Sequence, residues 1–472
     1  MTSPVLTTRI DQLPDGEIHA VGAAGLETAS MVRFLVEGGR GDVVLHDLAD
    51  DLDGAFQAAH RFQPAEHSER ARAALARCRD LRTGPDYLRG IESAVAVLVP
   101  SSWFLHPANA RVESLRDRFV TFPDVCFDLW QGPIIGITGS YGKTTTSRFT
   151  AALVDGVFCG NDREALCDLG ALTEGPPDRT MVFEVSNRHL RNGFRRTLDV
   201  GVLTGITLNH EPDHGSFEAY RKAKYSLADR SQRFLYHASI PGAFADASVL
   251  KRRGRSYGEA GAWRLSDAGV HGPGGVWCPV PGAAGFSVLH QDDVVAATAA
   301  ALYCGVPAEE IAQRSSALAG AVPRYRQSVR TQAGRLVIND SASCMPASTA
   351  ALIKTLQGRF VLICGGDRQR YRSGEFDVLA AAVKTNPGTA LVCTTGPLAG
   401  EIEASLRRVG FDAVIRCDDV EHAVTRAVAE AGAALVFSPG CGTGSLFLDK
   451  YRRGEVFDNA VATAVSGGQA LP

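Results

Sequence analysis

Short β-branched and aliphatic runs alternate with Ala-rich or amphipathic segments along nearly the whole chain. The clearest are IHAVG (18–22), DVVLHD (42–47), AVAVLVP (94–100), PIIGITG (133–139), MVFEVS (181–186) and VGVLTGITL (200–208). RLVIND (335–340), RFVLICGG (359–366), TALVCTTG (389–396) and ALVFSPG (434–440) follow. Continuous apolar strands between helical patterns predict parallel sheets covered on both faces. Between about 240 and 288 the chain turns rich in Gly, Ser and Pro, which predicts short antiparallel strands and turns. Three strand-and-helix blocks result, with breaks near Trp130 and near Val322-Pro323. No internal repeat or low-complexity tract interrupts them.

Composition narrows the function classes. The chain has 472 residues, with 49 Lys+Arg against 52 Asp+Glu and a formal charge of −3. That balance gives no long-range attraction for nucleic acid or an anionic membrane, and neither is expected as a partner. Eleven cysteines are scattered without a CxxC pair, mostly in apolar runs, as expected of buried thiols in a reducing compartment. The N-terminus has no signal-peptide pattern and no run reaches the length of a membrane span, so a cytoplasmic location is expected. A monomer is the expected state.

The sharpest motif is PIIGITGSYGKTTTS, residues 133–147. An apolar strand runs into Gly139-Ser140-Tyr141-Gly142-Lys143-Thr144-Thr145, and a helical pattern follows. Glycines let backbone N–H groups turn inward around a polyphosphate at a helix N-terminus. Lys143 supplies a charge to the β/γ-phosphates, and the Thr144 hydroxyl can ligate Mg²⁺. The strict form of the motif is not met, because residue 137 is Ile where a first glycine belongs. The strand–GKT–helix context still makes nucleotide binding the reading of choice over a plain glycine-rich turn.

The run TGSYGKTTT resembles the phosphate loop of the Mur ligases, ADP-forming amide ligases of peptidoglycan assembly, and further segments fall in that family's order. These are Phe183-Glu184-Val185-Ser186-Asn187, then Leu208-Asn209-His210-Glu211-Pro212-Asp213-His214, then Tyr220-Arg221-Lys222-Ala223-Lys224. Ile338-Asn339-Asp340-Ser341, Cys364-Gly365-Gly366-Asp367, and Ser438 to Thr443 with Arg453-Gly454-Glu455-Val456-Phe457 complete the series. The N-terminal turn Gly22-Ala23-Ala24-Gly25, the strand ending in Asp47 and the segment Val99-Pro100-Ser101-Ser102 to His106-Pro107 resemble the family's donor site. Within the family, the order is most similar to the branch that adds glutamate to UDP-N-acetylmuramoyl-L-alanine.

The resemblance implies an α/β fold of three domains. Residues 1–130 would be a Rossmann-like domain for a nucleotide-sugar or similar carboxylate donor. Residues 131–322 would be a P-loop ATPase-like domain with a mixed sheet, and 323–472 a Rossmann-like domain for the amino acid acceptor. It further implies ATP and two Mg²⁺ ions, with Thr144, Glu184, His214 and Lys224 as metal ligands, Lys224 in carbamylated form. Lys143, Glu184, His214 and Lys224 would be the catalytic set. ATP would be held by Gly139, Ser140, Gly142, Lys143, Thr144 and Thr145. Asp340 would join them at the ribose or the magnesium shell, with Arg324 or Arg326 on the nucleotide. Gly22, Gly25, Asp47, Ser186, Asn187, Cys344, Thr443 and Phe447 would face the substrates.

Elementary chemistry agrees with that set. Joining a carboxylate to an amine in water needs an activated acyl group, which ATP supplies as an acyl phosphate. Bringing two anions together requires bridging cations. Taken alone, Glu184, His214 and Lys224 have structural readings too: a buried strand-end carboxylate, a satisfied histidine and a solvated helix lysine. The acceptor segment departs from the family pattern. Ala342 and Cys344 follow Asn339-Asp340-Ser341 where the glutamate-adding branch carries Lys and Thr, and Arg368-Gln369-Arg370 follows Asp367 where a lysine is expected. Arg368 or Arg370 is expected to replace the missing cation. These departures, with Tyr141 in the phosphate loop, keep open two alternatives: a paralogue that makes a small peptide-like metabolite, and the variant that adds L-glutamate.

Overall fold

The computed structural model describes residues 10–162, 165, 169, 172, 178–207, 211–266, 269–286, 288–367 and 375–467. They form two compact units, Met1–Ala284 with Asp292–Leu318, and Gly285–Gln291 with Ala319–Pro472.

The first unit contains two parallel sheets. One has the order β3-β2-β1-β4-β5, from β1 (Ile18–Val21), β2 (Val43–His46), β3 (Asp80–Arg82), β4 (Ala96–Val99) and β5 (Phe119–Thr121). All four of its strand pairs run parallel. Between neighbours β1 and β4 the winding reverses, and such a switch point opens a crevice at the strands' carboxyl ends. The second sheet has the order β11-β10-β9-β6-β8-β7. Its strands are β6 (Ile134–Thr138), β7 (Val157–Gly160), β8 (Met181–Glu184), β9 (Leu198–Leu203), β10 (Ser231–His237) and β11 (Arg255–Tyr257).

This sheet is parallel throughout, not mixed as the sequence led us to expect. The antiparallel strands of the Gly/Pro-rich segment, β12 (Arg264–Ser266), β13 (Gly269–His271) and β14 (Trp277–Pro279), pair only with one another. Three residues each, they form a meander of their own.

One apolar core joins the two parallel sheets. It runs from Val32 and Leu35 of the first helix through Phe122, Phe127 and Trp130 to Phe183 and Leu227. The helix Phe122–Leu129 carries the join, with the Phe127 and Phe183 rings edge-to-face at 4.9 Å.

The second unit has a six-stranded sheet of order β15-β16-β20-β17-β18-β19. These are β15 (Ser328–Gln332), β16 (Arg335–Asn339), β17 (Phe360–Gly365), β18 (Thr389–Thr395), β19 (Val414–Arg416) and β20 (Ala434–Phe437). Only the edge pair β15–β16 is antiparallel. Two loops at its carboxyl end, those after β16 and β20, are locked by Arg453, which is 1% exposed. Its guanidinium donates to the carbonyls of Ser341 (2.6 Å), Cys441 (2.9 Å) and Gly442 (3.1 Å) and to Ser341 Oγ (3.3 Å). The following residue must be glycine, since a Cβ at Gly454 would lie 2.6 Å from the Tyr325 ring. The ten described cysteines are free thiols, and no described helix is long and apolar enough to cross a membrane.

Arg453→Ala should strip donors from three buried carbonyls and cost on the order of 3 kcal/mol. Denaturant unfolding of the full chain should show the loss in the transition of the second unit, and an unchanged midpoint would disprove the clamp.

Candidate active site

The phosphate loop joins β6 to the helix Lys143–Val154. Gly142 caps that helix at φ +79°, a left-handed conformation that favours glycine. A Cβ at Gly139 would lie 2.0 Å from Thr204 Oγ1, so the loop can pass the end of β9 only without a side chain. Thr204 Oγ1 donates to the Tyr141 carbonyl and fixes the loop from that side. Ser140 Oγ donates to the Thr207 carbonyl (3.2 Å), accepts the Thr207 N–H (3.0 Å) and lies 2.8 Å from the Tyr220 hydroxyl. Lys143 Nζ folds back on the loop's own carbonyls, Gly139 at 3.0 Å and Ser140 at 3.5 Å. Thr144 and Thr145 are buried in the helix's first turn.

Lys224 projects from the helix Phe217–Asp229, one turn after Tyr220, and is 1% exposed. Its Nζ donates to Thr138 Oγ1 (3.0 Å), whose hydroxyl donates onward to the Val185 carbonyl (2.7 Å). Burial, reinforced by the charge of Lys143, pushes the Lys224 amine well below the usual lysine range, against an opposing pull from Glu184. The solvated helix lysine is thereby excluded.

Glu184 ends β8 and is buried. Asn161 Nδ2 donates to its Oε1 at 3.2 Å, while Oε2 is buried without a hydrogen bond among the described residues. A buried, under-satisfied carboxylate oxygen beside cations is a fitting ligand for a hard metal ion. His214 ends the short helix Glu211–His214, with its Nε2 3.1 Å from Asn187 Nδ2. Ser186 caps the helix Asn187–Asn192, and His189 closes the capping box from the third position. Among the described residues no three His, Cys, Asp or Glu side chains cluster into a metal cage. Magnesium is commonly held by one or two protein groups with phosphate oxygens and water. The open oxygen of Glu184 fits that mode.

At the N-terminal turn, Asp47 Oδ2 accepts the Ala24 N–H (2.9 Å) and Oδ1 that of Ala49 (2.9 Å), so Asp47 braces the turn. Gly22 has φ +67°, and the Gly25 N–H bonds back to the Gly22 carbonyl at 3.0 Å. Sequence reasoning passed over Glu27, Asn161 and His189, and Glu27 lies in the first turn of the next helix.

In the second unit, Asp340 is buried with both oxygens bonded, to the Gln327 N–H (3.2 Å) and Ser438 Oγ (2.8 Å). Burial pushes its carboxyl up to about 7, despite Ser438 and Arg326. Arg324 lies against the Tyr325 ring, and Arg326 is next to a backbone that turns left-handed at both Tyr325 (φ +59°) and Gln327 (φ +54°). Cys344 and Thr443 are half-buried, and Phe447 packs on the core beneath the sheet. Arg368, Arg370 and Asn209 lie outside the described residues.

The Mur ligase middle domain matches residues 137–241, and the Mur ligase glutamate ligase domain matches residues 325–441. The chain carries the middle and ligase domains of the Mur ligases. Members of this family are ATP-dependent, ADP-forming amide ligases. Similar proteins include the UDP-N-acetylmuramoylalanine–D-glutamate ligase of Roseiflexus sp. (strain RS-1), 29% identical over 91% of this chain and 95% of that protein. The ligase of the same description from Symbiobacterium thermophilum is 27% identical over 94% of this chain and 98% of its own. Among solved structures, the UDP-N-acetylmuramate–alanine ligase of Thermotoga maritima covers 95% of this chain and 100% of its own, with a TM-score of 0.58 at 15% identity. The MurF ligase from Thermotoga maritima in complex with ADP covers 81% and 91%, with a TM-score of 0.54 at 16% identity. The three-domain α/β fold of Mur ligases is therefore that of this chain.

The raised Asp340 carboxyl carries a pH signature. The folded state holds its proton up to about pH 7, whereas the unfolded chain releases it near pH 4. Stability of the wild type should therefore fall as pH rises across that window. Asp340→Asn should flatten this slope, and thermal midpoints of both proteins from pH 4 to 8 will show it; parallel curves would exclude Asp340 as the titrating group.

Proposed function

We propose that the chain joins the carboxylate of a UDP-N-acetylmuramoyl-L-alanine-type donor to glutamate, consuming ATP and releasing ADP by way of an acyl phosphate. The observation that carries this reading is the pair of buried groups, Lys224 and Glu184, placed with the half-buried Lys143 of the phosphate loop, in a chain whose relatives are named for that reaction.

The residues divide the work. Backbone N–H groups of the loop and the helix N-terminus receive the polyphosphate, and Lys143 leaves its own loop's carbonyls to meet the β/γ-phosphates. Glu184, His214 and Thr144 would hold magnesium, which when bound neutralises charge between nucleotide and carboxylate. Burial pushes the Lys224 amine well below the usual lysine range, and in its neutral form it can attack CO₂; the new N–C bond forms as one proton leaves, giving a carbamate. The product is an anion with two hard oxygens, the type of ligand that magnesium prefers. Exclusion of water around Tyr220, Lys224 and Glu184 strengthens each of these interactions and protects an acyl phosphate from hydrolysis.

A specific observation supports a second reading. Ala342 is buried, with its N–H bonded to the Tyr325 carbonyl, so this loop position offers an acceptor carboxylate no cation. The L-glutamate-adding variant, or a paralogue acting on another small amino acid, accommodates that loss.

Phosphate release with ATP, Mg²⁺ and UDP-N-acetylmuramoyl-L-alanine, with D-glutamate, L-glutamate and other amino acids in turn, separates the readings. Release only with a glutamate supports the first, and a donor that never stimulates release refutes it. Lys224→Ala should be nearly inactive, and acetate at high concentration should partly restore it by occupying the vacated oxygen positions. Full activity without added carboxylate would refute the carbamate.

A further inference from the structure

The helix Asn187–Asn192 is six residues long, too short to hold its place through its own hydrogen bonds. Its two sides are tied to different parts of the first unit. On one side, Asn187 meets His214 Nε2 (3.1 Å), Arg188 pairs with Asp213 (3.3 Å), and Arg191 donates to the Asp213 carbonyl. On the other, His189 Nε2 meets Glu27 Oε1 at 2.9 Å. Asn192 accepts from Trp103 Nε1 (3.3 Å) and donates to the Ser101 carbonyl (3.2 Å).

The hydrogen-bond pattern assigns the His189 tautomer. Its Nδ1 accepts the Ser186 N–H (3.2 Å), so Nε2 carries the hydrogen that points at Glu27. Glu27 in turn accepts the Ser101 N–H (2.6 Å) and the Ser101 hydroxyl (3.1 Å). Burial works against the Glu27 charge, yet His189 and Ser101 together hold its carboxyl below the usual range. Glu27 begins the helix after the glycine turn and Ser101 follows β4, so both flank the switch point between β1 and β4.

We infer that Glu27 and His189 are a positioning pair that couples the crevice of the first sheet to the orientation of His214. The inference rests on the reading that His214 is a magnesium ligand. Nothing in the ATP reaction uses Glu27 directly; it acts through the helix. Without its acceptor, the His189 N–H is buried unpaired, and the helix shifts to satisfy it, carrying Asn187 off the His214 ring. Occupancy of the crevice by the donor and assembly of the metal site then share one rigid link.

The test uses the full-length protein and Mn²⁺ as the probe, with binding followed by electron paramagnetic resonance in the presence of a non-hydrolysable ATP analogue. Glu27→Ala should weaken Mn²⁺ binding by about tenfold, the usual scale for a lost outer partner. Its affinity for the ATP analogue should stay within about twofold, because the phosphate loop is untouched. Glu27→Gln keeps an acceptor for His189 and should recover most of the binding. Glu27→Asp, one methylene short of spanning His189 and Ser101, should show a smaller loss even if the alanine variant does not fold. Wild-type Mn²⁺ binding in the Ala and Asp variants would overturn the inference, as would a Gln variant as weak as Ala. This comparison needs neither donor nor acceptor, so absent turnover with glutamate would count against the proposed reaction while leaving the coupling decided by Mn²⁺.

Discussion

The site depends on one costly arrangement, the burial of a lysine amine next to a second lysine. Lys224 has Thr138 Oγ1 as its hydrogen-bond acceptor, and the charge of Lys143 adds to the desolvation that depresses its pKa. A protein interior tolerates such a group only by neutralising it or by supplying anions. Glu184 supplies part of one. A polyphosphate cradled by the loop would add further anionic charge beside it. The same burial that costs the folded state stability therefore prepares the amine for chemistry that a solvated lysine at neutral pH cannot perform.

The two buried carboxylates illustrate how satisfaction separates chemistry from structure. Asp340 has both oxygens engaged, and Ser438 extends its bond to Thr349 (2.8 Å) and on to Ser343 (3.2 Å). That chain, with Arg453, holds the loops after β16 and β20 in one arrangement. Glu184 has one oxygen bonded to Asn161 and the other without a hydrogen bond among the described residues. A fully bonded carboxylate keeps loops in register; a half-bonded one in a water-poor site is open to a cation. Asp340 is therefore better described as the hub of its loop cluster, through which it would place any group that the loops present.

How much of the fold the sequence revealed follows from where each strand sits. The ten apolar runs correspond to β1, β2, β4, β6, β8, β9, β16, β17, β18 and β20, all interior strands of the three parallel or mixed sheets. The strands that escaped are the six edges, β3, β5, β7, β11, β15 and β19, together with β10. Edge strands such as Asp80-Leu81-Arg82 and Val414-Ile415-Arg416 are partly solvated and carry charge, whereas β5 and β7 are apolar but only three and four residues long, so no continuous apolar run marks any of them. β10 is interior but opens with Ser231-Gln232-Arg233, its first three residues being exposed or half-buried. The expectation of a mixed central sheet failed for a related reason: the antiparallel pattern was visible, but nothing in it says whether three short strands join a neighbouring sheet or close on themselves.

The same distinction governs the site. The phosphate loop was legible because its residue types and spacing carry the chemistry; Glu184 and Lys224 stood out only through segments that fall in the family's order, since taken alone each has a structural reading too. Glu27 was not. An acidic residue in the first turn of a helix is what the helix dipole favours anyway, so in sequence it carries no signal. Its partner His189 is 162 positions away, inside a segment whose neighbouring Ser186 and Asn187 drew the attention. Only the fold brings the two together, across the core that Phe127 and Phe183 seal between the two sheets. Groups that touch substrate tend to be encoded locally, because a loop must present them together. Groups that hold such loops in place are recruited from wherever the packing brings them, and a reading of the chain alone will miss them for that reason.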